Sequence, residues 1–197
     1  MTITARRPPA SSSLPEHDPG GKRLLRLPSG TIGNAVFDGP GNCYRYELRR
    51  CWDEAAPAVM FIMMNPSTAI PTHDDPSVAK CGRYARRWGY GTLLVGNTFG
   101  YRATDQLQLA AVNDPVGPGN DAALLRMADE ADLVVLAYGR PKLKPLQSRG
   151  PAVMRMLRDA GIVPHALRLS ADGCPHHPLY LPESLTPFPC PSASVTS

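Results

Sequence analysis

Three side chains in this sequence stand where chemistry could be done, each delivered by a different stretch of the chain. Asn65 follows Ala58–Met64, seven apolar residues in a row, and precedes Pro66. Asn97 closes a second apolar run that begins at Gly91. His177 lies between Pro175 and Pro178, so the backbone that presents its imidazole is restricted on both sides. An amide offers donors and an acceptor on one plane, which suits the edge of a flat heterocycle. Asn65 has a second reading, as a turn residue whose side chain bonds nearby backbone.

Other residues join these by position. Gly139 ends a third apolar run, Asp132–Tyr138, and the loop after it carries Arg140, Lys142, Lys144 and Arg149 with no acid. Such a loop either contacts phosphates or is a solvated basic turn, and both readings stand. Asn65 and His177 are the expected catalytic pair. Asn97, Ser67, Gly139, Pro178 and Tyr180 are the expected substrate contacts, and the four basic residues the expected phosphate contacts.

Several chemistries are disfavoured. No G-x-S-x-G surrounds Ser67 or any other serine. Neither G-x-x-x-x-G-K-[ST] nor a strand-borne G-x-G-x-x-G occurs. His73, Asp74, Asp75, His176 and His177 are metal-capable residues, yet their spacing follows no ligand pattern, so neither a metal nor another cofactor is expected. The five cysteines are scattered and read as reduced thiols. A formal net charge of +4 permits a phosphate-rich partner such as DNA or a nucleotide without requiring one. No run approaches the roughly 20 apolar residues of a membrane span. A soluble, cytoplasmic chain is expected, and its oligomeric state is open.

The elements that must position these residues follow from apolar pattern and caps. The alternating segment 43–52 suits a half-exposed strand, hairpinned to a short strand near 31–37. Unbroken apolar runs at 58–64, 91–97 and 132–138 suit strands buried on both faces, with a fourth near 165–169. Asp75 caps a helix that accepts Pro76 in its first turn and runs to about Trp88. Further helices are expected from a Thr104–Asp105 cap to Val112, over 120–131 and over 151–160. Strand and helix alternate, so right-handed crossovers predict a three-layer α/β/α domain. Its centre would be a mostly parallel four-stranded sheet, with an N-terminal β-hairpin added. Parallel strands share one carboxyl edge, where open α/β sheets keep their ligands. The domain is expected over 21–182, with a Pro-, Ser- and Gly-rich disordered tail at 1–20 and a flexible tail at 183–197.

The chain resembles a bacterial family called domain of unknown function 1643. The resemblance rests on Met64-Asn65-Pro66-Ser67-Thr68-Ala69, Asp75-Pro76-Ser77, Gly89-Tyr90-Gly91, Asn97-Thr98-Phe99, Arg102-Ala103-Thr104-Asp105, Asp114-Pro115-Val116-Gly117 and His177-Pro178-Leu179-Tyr180. It covers about residues 43–182 and implies no activity. More distantly the chain is similar to the uracil-DNA glycosylase superfamily, whose parallel four-stranded sheet carries three motifs on its carboxyl rim. Met63-Met64-Asn65-Pro66 looks like the first, water-handling motif, with Met63 in place of a glycine. Leu93–Thr98 looks like the segment whose Asn reads the base, and His177-Pro178-Leu179 like the late His-Pro-Ser motif without its serine.

That likeness implies N-glycosidic hydrolysis, with His177 stabilising the departing base, Asn65 orienting water as a poorer base than a carboxylate, and Asn97 reading the base edge. Two alternatives remain. One is a binding module that keeps the nucleobase pocket without turnover. The other is a hydrolase or transferase on an unrelated small substrate, using Asn65, Ser67 and His177.

Overall fold

The computed structural model describes residues 15–21 and 23–191. In chain order the elements are β1 (Leu25–Arg26), β2 (Ile32–Asp38), β3 (Tyr44–Cys51), β4 (Ala58–Met63), β5 (His73–Asp74), α1 (Pro76–Arg87), β6 (Thr92–Asn97), α2 (Gln106–Ala111), α3 (Asn120–Glu130), β7 (Leu133–Leu136), α4 (Arg149–Asp159), β8 (His165–Ala166) and β9 (Phe188–Pro189). Short 3-10 turns lie at Pro40–Asn42, Lys144–Leu146 and Pro178–Tyr180.

The long apolar run becomes β4 and sits at the centre of the sheet. Its residues alternate between two cores, as strand geometry requires. Val59 and Phe61 pack with Leu93 and Val95 beneath Val78, Cys81 and Tyr84 of α1. Met60 and Ile62 pack with Leu94 and Leu136 beneath Leu124 and Met127 of α3 and Val153 and Leu157 of α4. Helices therefore cover both faces of an α/β sheet. α1 is closed at its start by Asp75, whose Oδ1 accepts from the N–H groups of Ser77 and Val78 at 2.9 Å each. It stops at Gly89, whose φ of +83° is the left-handed turn that suits glycine. Asp105 caps α2 by accepting from Leu107 N–H at 2.9 Å.

The sheet differs from the expected four strands. Among the described residues it has seven, in the order β2-β3-β6-β4-β7-β8-β9. β4 pairs parallel with β6 and β7, and β7 pairs parallel with β8. β2 with β3, β3 with β6, and β8 with β9 are antiparallel. The N-terminal hairpin is thus part of the main sheet, because β3 covers the edge of β6 that would otherwise leave backbone groups unpaired. The fourth strand is only two residues, His165–Ala166, and β9 closes its outer edge. β1 and β5 form a separate two-stranded pair.

The expected tails also change. His17 N–H donates to Gly41 O at 2.7 Å, and Thr104 N–H donates to Pro19 O at 2.8 Å, so residues 15–20 are laid onto the domain. At the other end Glu183 accepts from Lys80 and Arg83, and Trp88 Nε1 donates to Leu185 O at 3.2 Å. Composition alone reads both stretches as tails, but their backbone and two carboxylates, Glu16 and Glu183, satisfy groups on the folded core. The rest of the expected tails, 1–14 and 192–197, lies outside the described residues. Among the described residues no helix is long and apolar enough to cross a membrane.

Candidate functional site

Asn65 lies just past the end of β4, where Pro66 cannot continue a ladder. Its Nδ2 donates to Ala103 O at 2.5 Å and to Pro66 O at 3.3 Å. The side chain is therefore a turn anchor, as the second reading had it, and it also borders a cavity. That cavity has a volume of about 170 Å3 and is lined by Asn65, Ser67, His177, Arg45, Asp75 and Ser77, with Met63 and Met64. This is close to the ~150 Å3 of a cavity that takes one benzene-sized ring. Asn65, Ser67 and His177 are brought together as the sequence suggested.

His177 precedes the 3-10 turn Pro178–Tyr180 and caps it. Its Nδ1 accepts from Leu179 N–H at 3.3 Å, which assigns the ring proton to Nε2. Burial pulls the imidazole below its ordinary 6.5, while the Asp75 carboxylate pulls the other way. A neutral ring with Nε2–H as donor results.

Two residues that sequence reading left out of the site complete it. Asp75 is the helix cap its sequence position predicts, but capping uses only Oδ1. The same carboxylate borders the cavity, and its Oδ2 makes no hydrogen bond with the described residues. Arg45 comes from β3, where alternation would have placed it on the α3 side. The register of β2 and β3 slips between Val36 opposite Glu47 and Phe37 opposite Arg45, a bulge at Tyr46. Tyr46 turns toward Gly119 at the start of α3, and Arg45 turns to the α1 side. There its Nη1 donates to Ala69 O at 2.8 Å and its Nη2 to Asn97 Oδ1 at 3.3 Å. Arg45 is 1% exposed, and its Nε is buried with no partner among the described residues. Burial lowers the guanidinium to about 10, against the opposing pull of Asp75.

Asn97 is placed differently from the expectation. It is 1% exposed, its Oδ1 is engaged by Arg45, and it does not line the cavity. Arg45, which does line it, takes the Oδ1 with which Asn97 was expected to read a ligand. Asn97 also anchors α3, because its backbone O accepts from Asn120 Nδ2 at 3.0 Å. Gly139 and Tyr180 line a larger neighbouring cavity of about 710 Å3, which shares His177 and Met64 with the small one. Gly139 has φ +67°, and a Cβ there would lie 3.3 Å from His177 Cβ. Its part is to let the chain leave β7 close to His177. Pro178 is buried and starts the turn, whereas Tyr180 is 90% exposed.

The basic loop is not one cluster. Arg140 pairs with Asp172. Arg149 opens α4 and folds inward, donating from Nε to Thr98 O at 2.7 Å and pairing with Asp121. Both acids are remote in sequence, which hid them from a local reading. Lys142 and Lys144 are exposed. The expected four-charge phosphate site thus reduces to two lysines without an acidic partner among the described residues. His73 and Asp74 are used elsewhere, by Thr72 and Arg50. Among the described residues no three His, Cys, Asp or Glu side chains converge to hold a metal.

The cavity therefore joins donors (Arg45, His177 Nε2–H) to acceptors (Asp75, Asn65 Oδ1) and two hydroxyls. It can hold a small flat polar group and act on a proton beside it. No curated protein and no solved structure matches the chain. The family described as Protein of unknown function (DUF1643) matches residues 45–179, most of the domain including Arg45, Asp75 and His177, and the chain belongs to that family.

Proposed function

We propose that the cavity holds a nucleobase and that the protein hydrolyses an N-glycosidic bond. The observation that carries this reading is that Arg45, Asn65, Asp75 and His177 line one cavity of about 170 Å3. The order β6-β4-β7-β8, with parallel pairing and the loops of Asn65 and His177 at the cavity, supports the distant uracil-DNA glycosylase likeness.

Cleavage leaves an electron pair on the departing base and positive charge on the sugar. His177 Nε2–H and Arg45 donate to the oxygen where the base's negative charge collects. Asn65, whose Nδ2 is committed to Ala103, presents Oδ1 to orient the attacking water. Asp75 takes the water's proton on its unengaged oxygen, and the hydroxide oxygen bonds to the anomeric carbon. Asp75 thereby supplies the carboxylate that Asn65 lacks.

The test is base release, followed by mass spectrometry, from nucleosides, nucleotides and uracil- or adduct-bearing oligonucleotides. The expected result is release of one base class by the wild type. Asp75→Asn keeps the helix cap, since Asn caps as well as Asp, and should lower kcat by roughly 10²–10⁴ with little change in KM. No release and no binding of any substrate by calorimetry would sink the reading. Binding without release would favour a non-catalytic nucleotide-binding module, a second reading supported by Asn65 standing as an amide turn anchor where a carboxylate base would act.

A further inference from the structure

A second cavity, of about 420 Å3, runs along α1 between that helix, the β1–β5 pair and the outer ends of β2 and β3. It shares no lining residue with the site described above. Its walls carry Arg26, Arg50, Arg83 and Arg86 against one carboxylate, Asp74. The Asp74 charge is consumed: Arg50 Nε donates to it at 2.8 Å, and the rest of Arg50 is bonded to backbone carbonyls. Arg83 is met by Glu183. Arg26 and Arg86 have no acidic partner among the described residues, so two guanidinium charges border the cavity uncompensated.

Arg86 is held in place rather than trailing in solvent. Its guanidinium carbon lies 3.9 Å from the centre of the Trp52 ring, and its Nη2 donates to Thr31 Oγ1 at 2.8 Å. The indole is itself fixed, because Trp52 Nε1 donates to Tyr90 O at 2.9 Å. A stacked, oriented guanidinium is pre-organised for a planar or tetrahedral oxyanion. Partial burial lowers the pKa of Arg86 from the ordinary arginine value.

Gly82 borders the same cavity in the middle of α1, where glycine destabilises a helix relative to alanine. A Cβ built there meets nothing within 4 Å among the described residues, so no contact with them demands a glycine. Its effect is to keep the groove open beside Trp52 and Arg86. The volume falls in the range of small-molecule sites, about 300–1,000 Å3.

We propose that this groove binds a small molecule with a planar ring and a phosphate group, the ring lying over Gly82 beside Trp52 and the phosphate meeting Arg26 and Arg86. Aryl phosphates and nucleoside monophosphates share that chemistry, and the test separates them. The chain has two tryptophans, so Trp88→Phe leaves Trp52 as the sole indole reporter. This variant is titrated with phenyl phosphate, adenosine monophosphate, inorganic phosphate and uncharged adenosine, following Trp52 fluorescence. The same four probes are titrated into the wild type by calorimetry, which needs no variant to fold.

Saturable binding of phenyl phosphate or adenosine monophosphate is expected, with the tighter of the two naming the class. Arg86→Gln and Arg26→Gln should each weaken it at least tenfold. Gly82→Leu should abolish it while raising the melting temperature, since leucine favours the helix and fills the groove. Binding that survives Gly82→Leu would overturn the assignment, as would inorganic phosphate binding as tightly as the ring-bearing probes. Absence of saturable binding to the wild type by calorimetry would overturn it as well.

Discussion

Arg45 Nη2 donates to Asn97 Oδ1 at 3.3 Å, tying an antiparallel strand to the last residue of a parallel one. Both side chains are 1% exposed, so the pair is a buried joint beside the candidate site. Removing one partner strands the other. Asn97→Ala should therefore cost about 2–3 kcal/mol in urea unfolding, rather than sparing the fold as a surface turn residue would. The Arg45→Met/Asn97→Ala double variant should cost clearly less than the sum of its singles, a coupling of roughly 1–3 kcal/mol. Additive costs would show that the two residues act independently.

His177 should make stability depend on pH in a defined direction. Its folded pKa is held below the ordinary 6.5 by burial. Above about pH 6.5 both states carry a neutral ring, and the contribution is fully present. As pH falls below that value the unfolded chain binds the proton first, so stability declines until the folded value is reached. The difference between wild-type and His177→Gln unfolding curves across about pH 5–8 should show this slope. A slope of opposite sign would mean that Asp75 outweighs burial.

The basic loop should split into two classes. Lys142→Ser with Lys144→Ser should leave the melting temperature unchanged and, if nucleic acid binds, reduce the salt slope of affinity by about 0.7–0.9 per charge. Arg149→Ser should instead lower stability by about 1–2 kcal/mol, because Thr98 O loses its shorter donor, keeping Asn120 Nδ2 at 3.4 Å, and Asp121 loses its partner. Equal effects of all three substitutions on the salt slope would restore a single phosphate cluster.

The C-terminal segment should behave as part of the domain. Ending the chain after Pro182 removes the Glu183 carboxylate, the Leu185 carbonyl that accepts from Trp88, and the β9 partner of β8. The exposed ion pairs count for little, but the lost edge pairing and Leu185 packing should cost about 2–4 kcal/mol by thermal melts. An unchanged melting temperature would mark the segment as a tail.

What the sequence determined by itself was local. The apolar runs ending at Met64, Asn97 and Tyr138 place β4, β6 and β7 inside the sheet, because runs this short, bounded by turn residues, suit strands buried on both faces. The caps at Asp75 and Asp105 and the stops at Pro66 and Gly89 are backbone chemistry confined to a few neighbouring residues. The expectation that the ends of these strands bring Asn65, Asn97, Gly139 and His177 to one rim came from the same elements, and of the four Asn65 and His177 line the small cavity.

What only the tertiary structure decided depended on partners far along the chain. One extra residue at Tyr46 flips Arg45 across the sheet, and a bulge of that kind leaves the alternation of β3 looking ordinary. Asp121 and Asp172 neutralise Arg149 and Arg140 from 28 and 32 residues away. Asp75 reaches the cavity because α1 starts beside the His177 turn, and Asn97 is kept from a ligand because Arg45 binds its Oδ1. Propensity and capping act over a few residues, whereas which charges meet is settled only when distant strands and helices pack.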